Sequence, residues 1–202
     1  VQMVIGPRLA GFVHRESPLA DLRLVTTTAH VIPDELANGT LDAYVGFFDV
    51  PSEEASSEVL YDDDFVLLMR SGHGLLCAPD GAPPSVDAWL EQGHVVVSGD
   101  ARAPTVIDRT LADLGLTRRI AAVVDRAGAV PHLLQETDWV AAVGRHWGVE
   151  CFARSDGRLG LCEVPIALPC GRIRVVVPRR GESNPRSRWL RTLIHRAVPG
   201  VR

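Results

Sequence analysis

The chain has 202 residues, a net charge of -4 and 46% hydrophobic residues. This length suits one large domain or two small lobes, and the hydrophobic content is enough for a buried core. No apolar run approaches the roughly 20 residues of a membrane helix, and the acidic balance disfavours nucleic-acid binding by this chain alone. The first residues lack the basic flank of a signal peptide. The four cysteines include no C-x-x-C pair, which disfavours zinc and redox sites and fits free thiols in a reducing cytoplasm.

Helical and extended patterns alternate in the first part of the chain. Residues 22–26 predict a strand, 33–37 a short helix, and 41–48 an almost wholly apolar strand. This alternation predicts right-handed βαβ units and a parallel sheet. A helix precedes them, with Pro7 expected in its first turn and an end at Ser17-Pro18. The residues that share its apolar face are Ile5, Leu9, Phe12 and Val13.

Three consecutive aspartates, at positions 62–64, divide the strand pattern of residues 59–70. A calcium or magnesium site is one interpretation, but the alternating oxygen ligands and the glycine of a calcium loop are absent. A solvated bend is the better interpretation. Residues 70–74 then interrupt the regular pattern, and a second lobe is predicted from Leu75 onward.

The second lobe again alternates strands and helices. Strands are predicted at 94–98, 119–124, 137–144 and 159–164, with helices at 104–114, at 132–136 and after 144. Ser85 is expected to cap a short helix. The apolar face of the 104–114 helix is predicted to contain Ile107, Leu111 and Leu114.

The last part of the chain predicts a strand at 172–177 and a final helix that Asn184 caps and Pro185 opens. Its four arginines invite a DNA-binding hypothesis, although the chain as a whole is acidic. A solvated helix face is therefore the preferred interpretation. These arginines are Arg186, Arg188, Arg191 and Arg196.

The sequence resembles the effector-binding domains of LysR-type transcriptional regulators, especially the members that respond to aromatic acids and flavonoids. The resemblance lies in residues 94–98, 106–121 and 131–141, and in the pattern Leu-x-x-Gly-x-Leu-Asp-x-x-hydrophobic at 36–45. It extends in order over essentially the whole chain. Two departures stand out: Gly74 replaces a common proline, and Gly144-Arg145 lacks the proline that commonly precedes this position.

The resemblance implies an α/β fold of two Rossmann-like lobes joined by two crossover segments, as in type 2 periplasmic binding proteins. Lobe I would comprise residues 1–70 and 170–202, and lobe II residues 71–169. The crossings would lie at 70–74 and 165–169. In the family a strand precedes the first helix, so the chain is expected to start after that strand.

The resemblance also implies a function, which is to sense an effector and to oligomerise. A small aromatic or carboxylated molecule would bind between the lobes. The chain would form a homodimer through helices 4–15 and 104–114, and a tetramer in the full-length regulator. DNA would be contacted only by a winged helix-turn-helix upstream of Val1. A cytoplasmic location, with no cofactor, metal or membrane partner, is expected.

The candidate ligand site follows from the rule that ligands of open parallel sheets lie beyond the carboxyl ends of the strands. Hydroxyls and the start of a helix at Thr105 would hold a carboxylate, and apolar neighbours would hold a ring. Ordinary loop and capping roles are the alternative for each residue. The candidates are Thr27, Thr28, Ala29, Phe47, Ser98, Arg102, Thr105, Gly128, Val130 and Pro131.

Two other functions are open at this stage. A solute-binding protein of a transport system shares the bilobal fold, and enzymes occur on it too. The sequence has no G-x-S-x-G, H-E-x-x-H or G-x-x-x-x-G-K motif, and its histidines are isolated, so catalysis is not expected. The sequence upstream of Val1 would discriminate best, because a helix-turn-helix indicates a regulator and a signal peptide indicates a transport subunit.

Overall fold

The chain forms two compact units, Val1–Asp63 with Gly171–Arg202, and Asp64–Cys170. The computed structural model describes residues 1–27, 30–48, 50, 55–76, 82–100, 102–179 and 184–200. The elements in chain order are α1 (Gln2–Glu16), α2 (Ile32–Asn38), β1 (Tyr44–Gly46), β2 (Ala55–Asp63), β3 (Phe65–Arg70), α3 (Val86–Leu90), β4 (Gly93–Val97), α4 (Val106–Asp113), β5 (Arg119–Val124), α5 (Val130–Gln135), β6 (Trp139–Gly144), α6 (Arg145–Ala153), β7 (Leu159–Glu163), β8 (Gly171–Pro178) and α7 (Pro185–Ala197).

The sheet of the first unit has the order β1-β8-β2. Both described pairs are antiparallel, so the parallel sheet expected from the helix–strand alternation is wrong for these strands. The reason is β8, which returns from the second unit and runs against β1. Only Tyr44–Gly46 of the strand expected at 41–48 pairs, and residues 22–26 form no ladder. The pairing of residues 172–177 with the first sheet is confirmed.

Helices cover this sheet on two faces because side chains alternate along β8. Ile173, Val175 and Val177 pack on one side with buried residues of α1 and α7. Val176 points the other way and packs with Ile32 and other buried residues of α2. The first unit therefore has α1 and α7 on one face of its sheet and α2 on the opposite face.

Helix α1 starts earlier than its sequence suggested. The carbonyl of Val1 accepts hydrogen bonds from the amides of Val4 and Ile5, which sets the first turn. Pro7 consequently lies inside the helix and not in its first turn. Proline lacks the N–H that would bond to the carbonyl of Met3, so this hydrogen bond is missing from the helix.

Helix α7 begins as predicted, with Asn184 Oδ1 accepting a hydrogen bond from the amide of Arg186 at 2.9 Å. Three of its four arginines make ion pairs with carboxylates of the same unit, which agrees with a solvated helix face. The pairs are Arg186–Asp42, Arg191–Glu58 and Arg196–Glu16.

The sheet of the second unit is mixed and has the order β5-β4-β6-β3-β7. β4 is parallel to β5 and β6, whereas β3 is antiparallel to β6 and β7. Residues 64–70, which we expected in the first lobe, therefore belong to the second unit. The chain leaves the first unit at the aspartate run, because the apolar residues of β3 are buried between β6 and β7. The first crossing is thus at 63–64 and not at 70–74.

The core of the second unit contains Trp89, which is completely buried. Ser85 caps its helix as predicted, accepting a hydrogen bond from the amide of Ala88 at 3.2 Å. Ile107 and Leu111 pack into the same core, but Leu114 is 57% exposed. Helix α4 ends at Asp113. Leu114 therefore lies beyond the helix, and the helical periodicity that grouped it with Ile107 and Leu111 does not apply to it.

None of the helices in the described ranges is long and apolar enough to span a membrane. Within the same ranges, no group of three His, Cys, Asp or Glu side chains could hold a metal ion. Cys151 and Cys162 are free thiols, and burial raises the pKa of each to about 11. These two cysteines are consequently protonated and poorly reactive near neutral pH.

Candidate functional site

The loops after β4 and β5 meet at the carboxyl-terminal ends of these two parallel strands, which form one edge of the second sheet. The amide of Ser98 donates to the carbonyl of Val124 at 2.9 Å, which holds the ends of the two parallel strands together. The 98–102 loop is organised by its own polar groups. Ser98 Oγ donates to the carbonyl of Asp100 at 2.6 Å, and Asp100 Oδ1 accepts from the amide of Arg102 at 2.9 Å. Two predicted site residues, Ser98 and Arg102, thus both bond to Asp100.

Thr105 has a structural role at the start of α4. Its amide and its hydroxyl both donate to Asp108 Oδ2, at 2.8 and 2.7 Å, and the amide of Asp108 donates to Thr105 Oγ1. The nearly buried guanidinium of Arg118 also bonds to Asp108 and Thr105. A carboxylate of the chain itself therefore occupies the helix start where we expected a ligand carboxylate. The Thr-x-x-Asp spacing is a capping-box signal that could have revealed this.

The turn after β5 contains the remaining predicted residues of the second unit. Gly128 lies in a 3-10 turn, and a Cβ added to it would meet no atom within 4 Å. Val130 is completely buried, and Pro131 lies in the first turn of α5. Gly128 is therefore open to an approaching molecule, whereas Val130 and Pro131 fix the turn that presents it.

The accessible groups at this edge suit an anionic molecule with a flat body. Arg102 is exposed and offers a guanidinium, which binds a carboxylate through two parallel hydrogen bonds. Gly99 resembles Gly128 in that a Cβ there would meet nothing within 4 Å. Two open glycines on neighbouring loops allow a ligand to approach the backbone closely.

Of the predicted residues of the first unit, the structure describes Thr27 and Phe47. Thr27 Oγ1 donates to Glu35 Oε2 at 2.8 Å, so its hydroxyl is engaged within the chain. Phe47 is 52% exposed, and a Cβ on Gly171 would lie 2.8 Å from its ring. The ring of Phe48 stacks on Tyr44, with 6.5 Å between the ring centroids. Thr28 and Ala29 lie outside the described residues.

His94 is the most perturbed histidine, and it is completely buried. Its Nε2 lies 3.1 Å from the carbonyl of Trp89, a geometry in which Nε2 carries the hydrogen. Burial, with a smaller contribution from Arg118, lowers the pKa of His94 to about 4. A neutral histidine enclosed in a core is a packing residue and does not form part of the accessible edge.

Comparison with known proteins identifies the family. The sequence model of the LysR substrate binding domain matches residues 2–199. The chain belongs to this family. Several of its relatives are named as transcriptional regulators, which favours a LysR effector-binding domain over the solute-binding protein that was the alternative.

The LysR domain resembles both curated sequences and solved structures. It is 25% identical over 188 residues to the HTH-type transcriptional activator NahR of Pseudomonas putida, covering 93% of this chain and 61% of NahR. A probable transcriptional regulator of Pseudomonas aeruginosa superposes with a TM-score of 0.79 at 26% identity, covering 96% of this chain and 62% of that one. The regulatory domain of MexT, a transcriptional activator in the same organism, gives 0.82 at 20% identity, covering 98% and 95%.

The matched share of each similar protein shows how much of that protein this LysR domain spans. The chain spans about three fifths of the length of NahR but 95% of the regulatory domain of MexT. The antiparallel sheet of the first unit and the mixed sheet of the second, each packed against helices, agree with the α/β fold of two Rossmann-like lobes that the resemblance implied.

Proposed function

We propose that this LysR domain binds a small aromatic carboxylate at the edge formed by the 98–102 loop and the turn at Gly128. The observation that supports the proposal is the bond from Ser98 to Val124, because it joins the ends of the two strands whose following segments contain Gly99, Arg102 and Gly128. Arg102 would pair with the carboxylate, and Gly99 and Gly128 would admit the ring to the backbone. The resemblance to aromatic-acid-responsive regulators supports the same chemical class.

Effector binding would act on transcription through contacts between copies of the domain. We infer a homodimer in which α1 and α4 provide the contacts, and a DNA reader that lies outside residues 1–202. A coupling free energy of about 1–3 kcal/mol between effector and DNA is typical of such regulation. The net charge of -4 supports the placement of the DNA reader elsewhere.

Isothermal titration of the chain with salicylate and benzoate tests the ligand site. Arg102→Gln should weaken binding at least about 10-fold, since a charge-assisted hydrogen bond contributes about 1.5–3 kcal/mol. Gly128→Leu should block binding while leaving the thermal midpoint nearly unchanged, because its side chain meets open space. Arg172→Gln is the matched control, an exposed arginine on the first unit.

The result that contradicts the site is equal affinity for salicylate in the parent chain, Arg102→Gln and Gly128→Leu. Absence of any binding of aromatic carboxylates would contradict the chemical class. Sequence-specific retardation of promoter DNA by residues 1–202 would contradict a DNA reader outside this chain.

A further inference from the structure

Two polar atoms in the core of the second unit have no hydrogen-bond partner within the described residues. They are Nε1 of Trp89 and Nδ1 of His94. Both side chains are completely buried. Buried polar groups in folded proteins are almost always hydrogen-bonded, because an unpaired group loses its bonds to water and gains none in exchange. Two such atoms in one core therefore indicate a further bonding partner.

The two atoms lie on rings that contact each other. The ring centroids of Trp89 and His94 are 5.3 Å apart, and the ring planes meet at 74°. A hydrogen bond of 3.1 Å between His94 Nε2 and the carbonyl of Trp89 also joins these residues. Trp89 lies near the end of α3, and His94 lies in β4. Both unpaired atoms thus belong to one small region between a helix and a strand, where a single partner would be near each of them.

The two atoms are chemically complementary. The indole nitrogen of Trp89 carries a hydrogen and can only donate. A carbonyl oxygen can only accept, so the bond to the carbonyl of Trp89 requires the hydrogen of a neutral His94 ring to lie on Nε2. Burial lowers the pKa of His94 to about 4, which keeps the ring neutral near pH 7. Nδ1 consequently has a free lone pair and can only accept, so a shared partner must accept from one ring and donate to the other.

The surrounding side chains do not supply such a partner. The other buried residues of this core are Leu67, Met69, Ile107, Leu111, Val140 and Cys162. Hydrocarbon side chains form no hydrogen bonds, and the sulfur atoms of methionine and cysteine form only weak ones. A water molecule both accepts and donates, and it commonly bridges buried polar groups that do not bond to each other directly.

We propose that one internal water molecule bridges these rings, accepting a hydrogen bond from Trp89 Nε1 and donating one to His94 Nδ1. Internal waters usually make about three hydrogen bonds to buried polar groups. The region is polar enough to hold one, because the ion pair of Arg118 with Asp108 lies close enough to act on the pKa of His94. A water enclosed only by hydrocarbon would not be retained.

The bridge gives the two polar side chains a role in an otherwise apolar core. Together with the bond from His94 Nε2 to the carbonyl of Trp89, it would connect α3 to β4 at two points. The orientation of both rings would then be fixed by hydrogen bonds as well as by packing. This inference does not depend on the effector site, because neither ring forms part of the accessible edge.

Cross-relaxation between water and protein protons tests the proposal on residues 1–202 near pH 7. A water enclosed in a core exchanges slowly, so the indole proton of Trp89 should give NOE and ROE cross-peaks of opposite sign at the water frequency. The signal that disappears in Trp89→Phe identifies this proton. Trp189 is the control in the same spectrum, because its Nε1 donates from an exposed position to Glu16 Oε2 and exposed waters exchange too fast to give this pattern.

A high-resolution crystal structure of the same chain is the second measurement. It should show a density peak within hydrogen-bond distance of both Trp89 Nε1 and His94 Nδ1. An indole proton of Trp89 that is shifted upfield and lacks the water cross-peaks would show that the N–H points at the face of the imidazole ring, and this would overturn the proposal. Density that contacts neither nitrogen, or only one of them, would overturn the bridge as well.

Discussion

Arg118 Nε donates to Asp108 Oδ1 at 2.8 Å, which connects the start of β5 to the first turn of α4. The side chain of Arg118 is only 3% exposed. Burial alone would raise the pKa of Asp108, but the hydrogen bonds from Thr105 and Arg118 outweigh burial and lower it. The ion pair and the capping box therefore form one network that supports the loop leading to the proposed effector site.

Arg118→Met should lower the free energy of unfolding by about 1–3 kcal/mol. Breaking a fully buried ion pair costs about 3–5 kcal/mol, but Asp108 keeps partial access to water, which reduces the loss. Urea unfolding monitored by circular dichroism measures the change. Arg109→Met is the matched control, since Arg109 lies on α4 next to Asp108 and donates from an exposed position to the carbonyl of Pro104. An equal decrease in the free energy of unfolding in both variants would contradict a special role for Arg118.

His94 should make stability depend on pH between about 4 and 6.5. The pKa of His94 is lowered from 6.5 to about 4, so the unfolded chain binds a proton that the folded chain does not. The contribution of neutral His94 to the free energy of unfolding is fully present above pH 6.5 and is lost as the pH falls toward 4. Its size is about 3 kcal/mol, from 1.36 kcal/mol per pKa unit.

His94→Leu should flatten the plot of unfolding free energy against pH in this window, whatever its effect on absolute stability. The slope is the diagnostic quantity, because loss of the bond to the carbonyl of Trp89 changes stability at every pH. A parental slope in His94→Leu would show that another group titrates.

The second unit and the last part of the first, from Gly171 onward, could be predicted closely from the sequence. Ser85 and Asn184 cap their helices as expected, and the strands β4 to β8 lie within a few residues of the apolar runs that predicted them. These features depend on local hydrogen bonds and on burial within one unit. Residues 22–26 have an equally clear pattern but form no ladder, because a strand needs a neighbour that no local pattern can supply.

Less of the candidate site could be predicted. The rule about carboxyl ends of strands brought Ser98, Arg102 and Gly128 to one edge, and their binding role stays a prediction. The rule does not reveal that Asp108 occupies the start of α4, although the local Thr-x-x-Asp spacing indicates it. The bond from Arg118, ten residues further along the chain, has no local signal. Val130 is apolar and adjacent to a loop, but its completely buried side chain can act only as a support.

Leu114→Glu should dissociate the proposed homodimer. Leu114 is 57% exposed at the end of α4, a helix that we expect at the interface, and a charge there would be costly to bury. Light scattering at high micromolar concentration should show a dimer for the parent chain and a monomer for the variant. Leu19→Glu, at a position 99% exposed in the first unit, should remain dimeric. A monomeric parent chain would contradict the assembly.

Gly148→Ala and Gly11→Ala should change stability in opposite directions. Both glycines lie in helices, but a Cβ on Gly148 would come within 2.6 Å of Val66 Cγ2, whereas on Gly11 the nearest atom is the flexible end of Arg15 at 3.4 Å. Overpacking costs about 1–3 kcal/mol, while replacing glycine by alanine in a helix gains about 1 kcal/mol. Gly11→Ala should therefore stabilise the protein, and Gly148→Ala should destabilise it by up to about 2 kcal/mol. Urea unfolding midpoints of both variants and the parent chain, measured under the same conditions, test this prediction. Stabilisation by both substitutions would contradict it and would show that α6 can move away from β3.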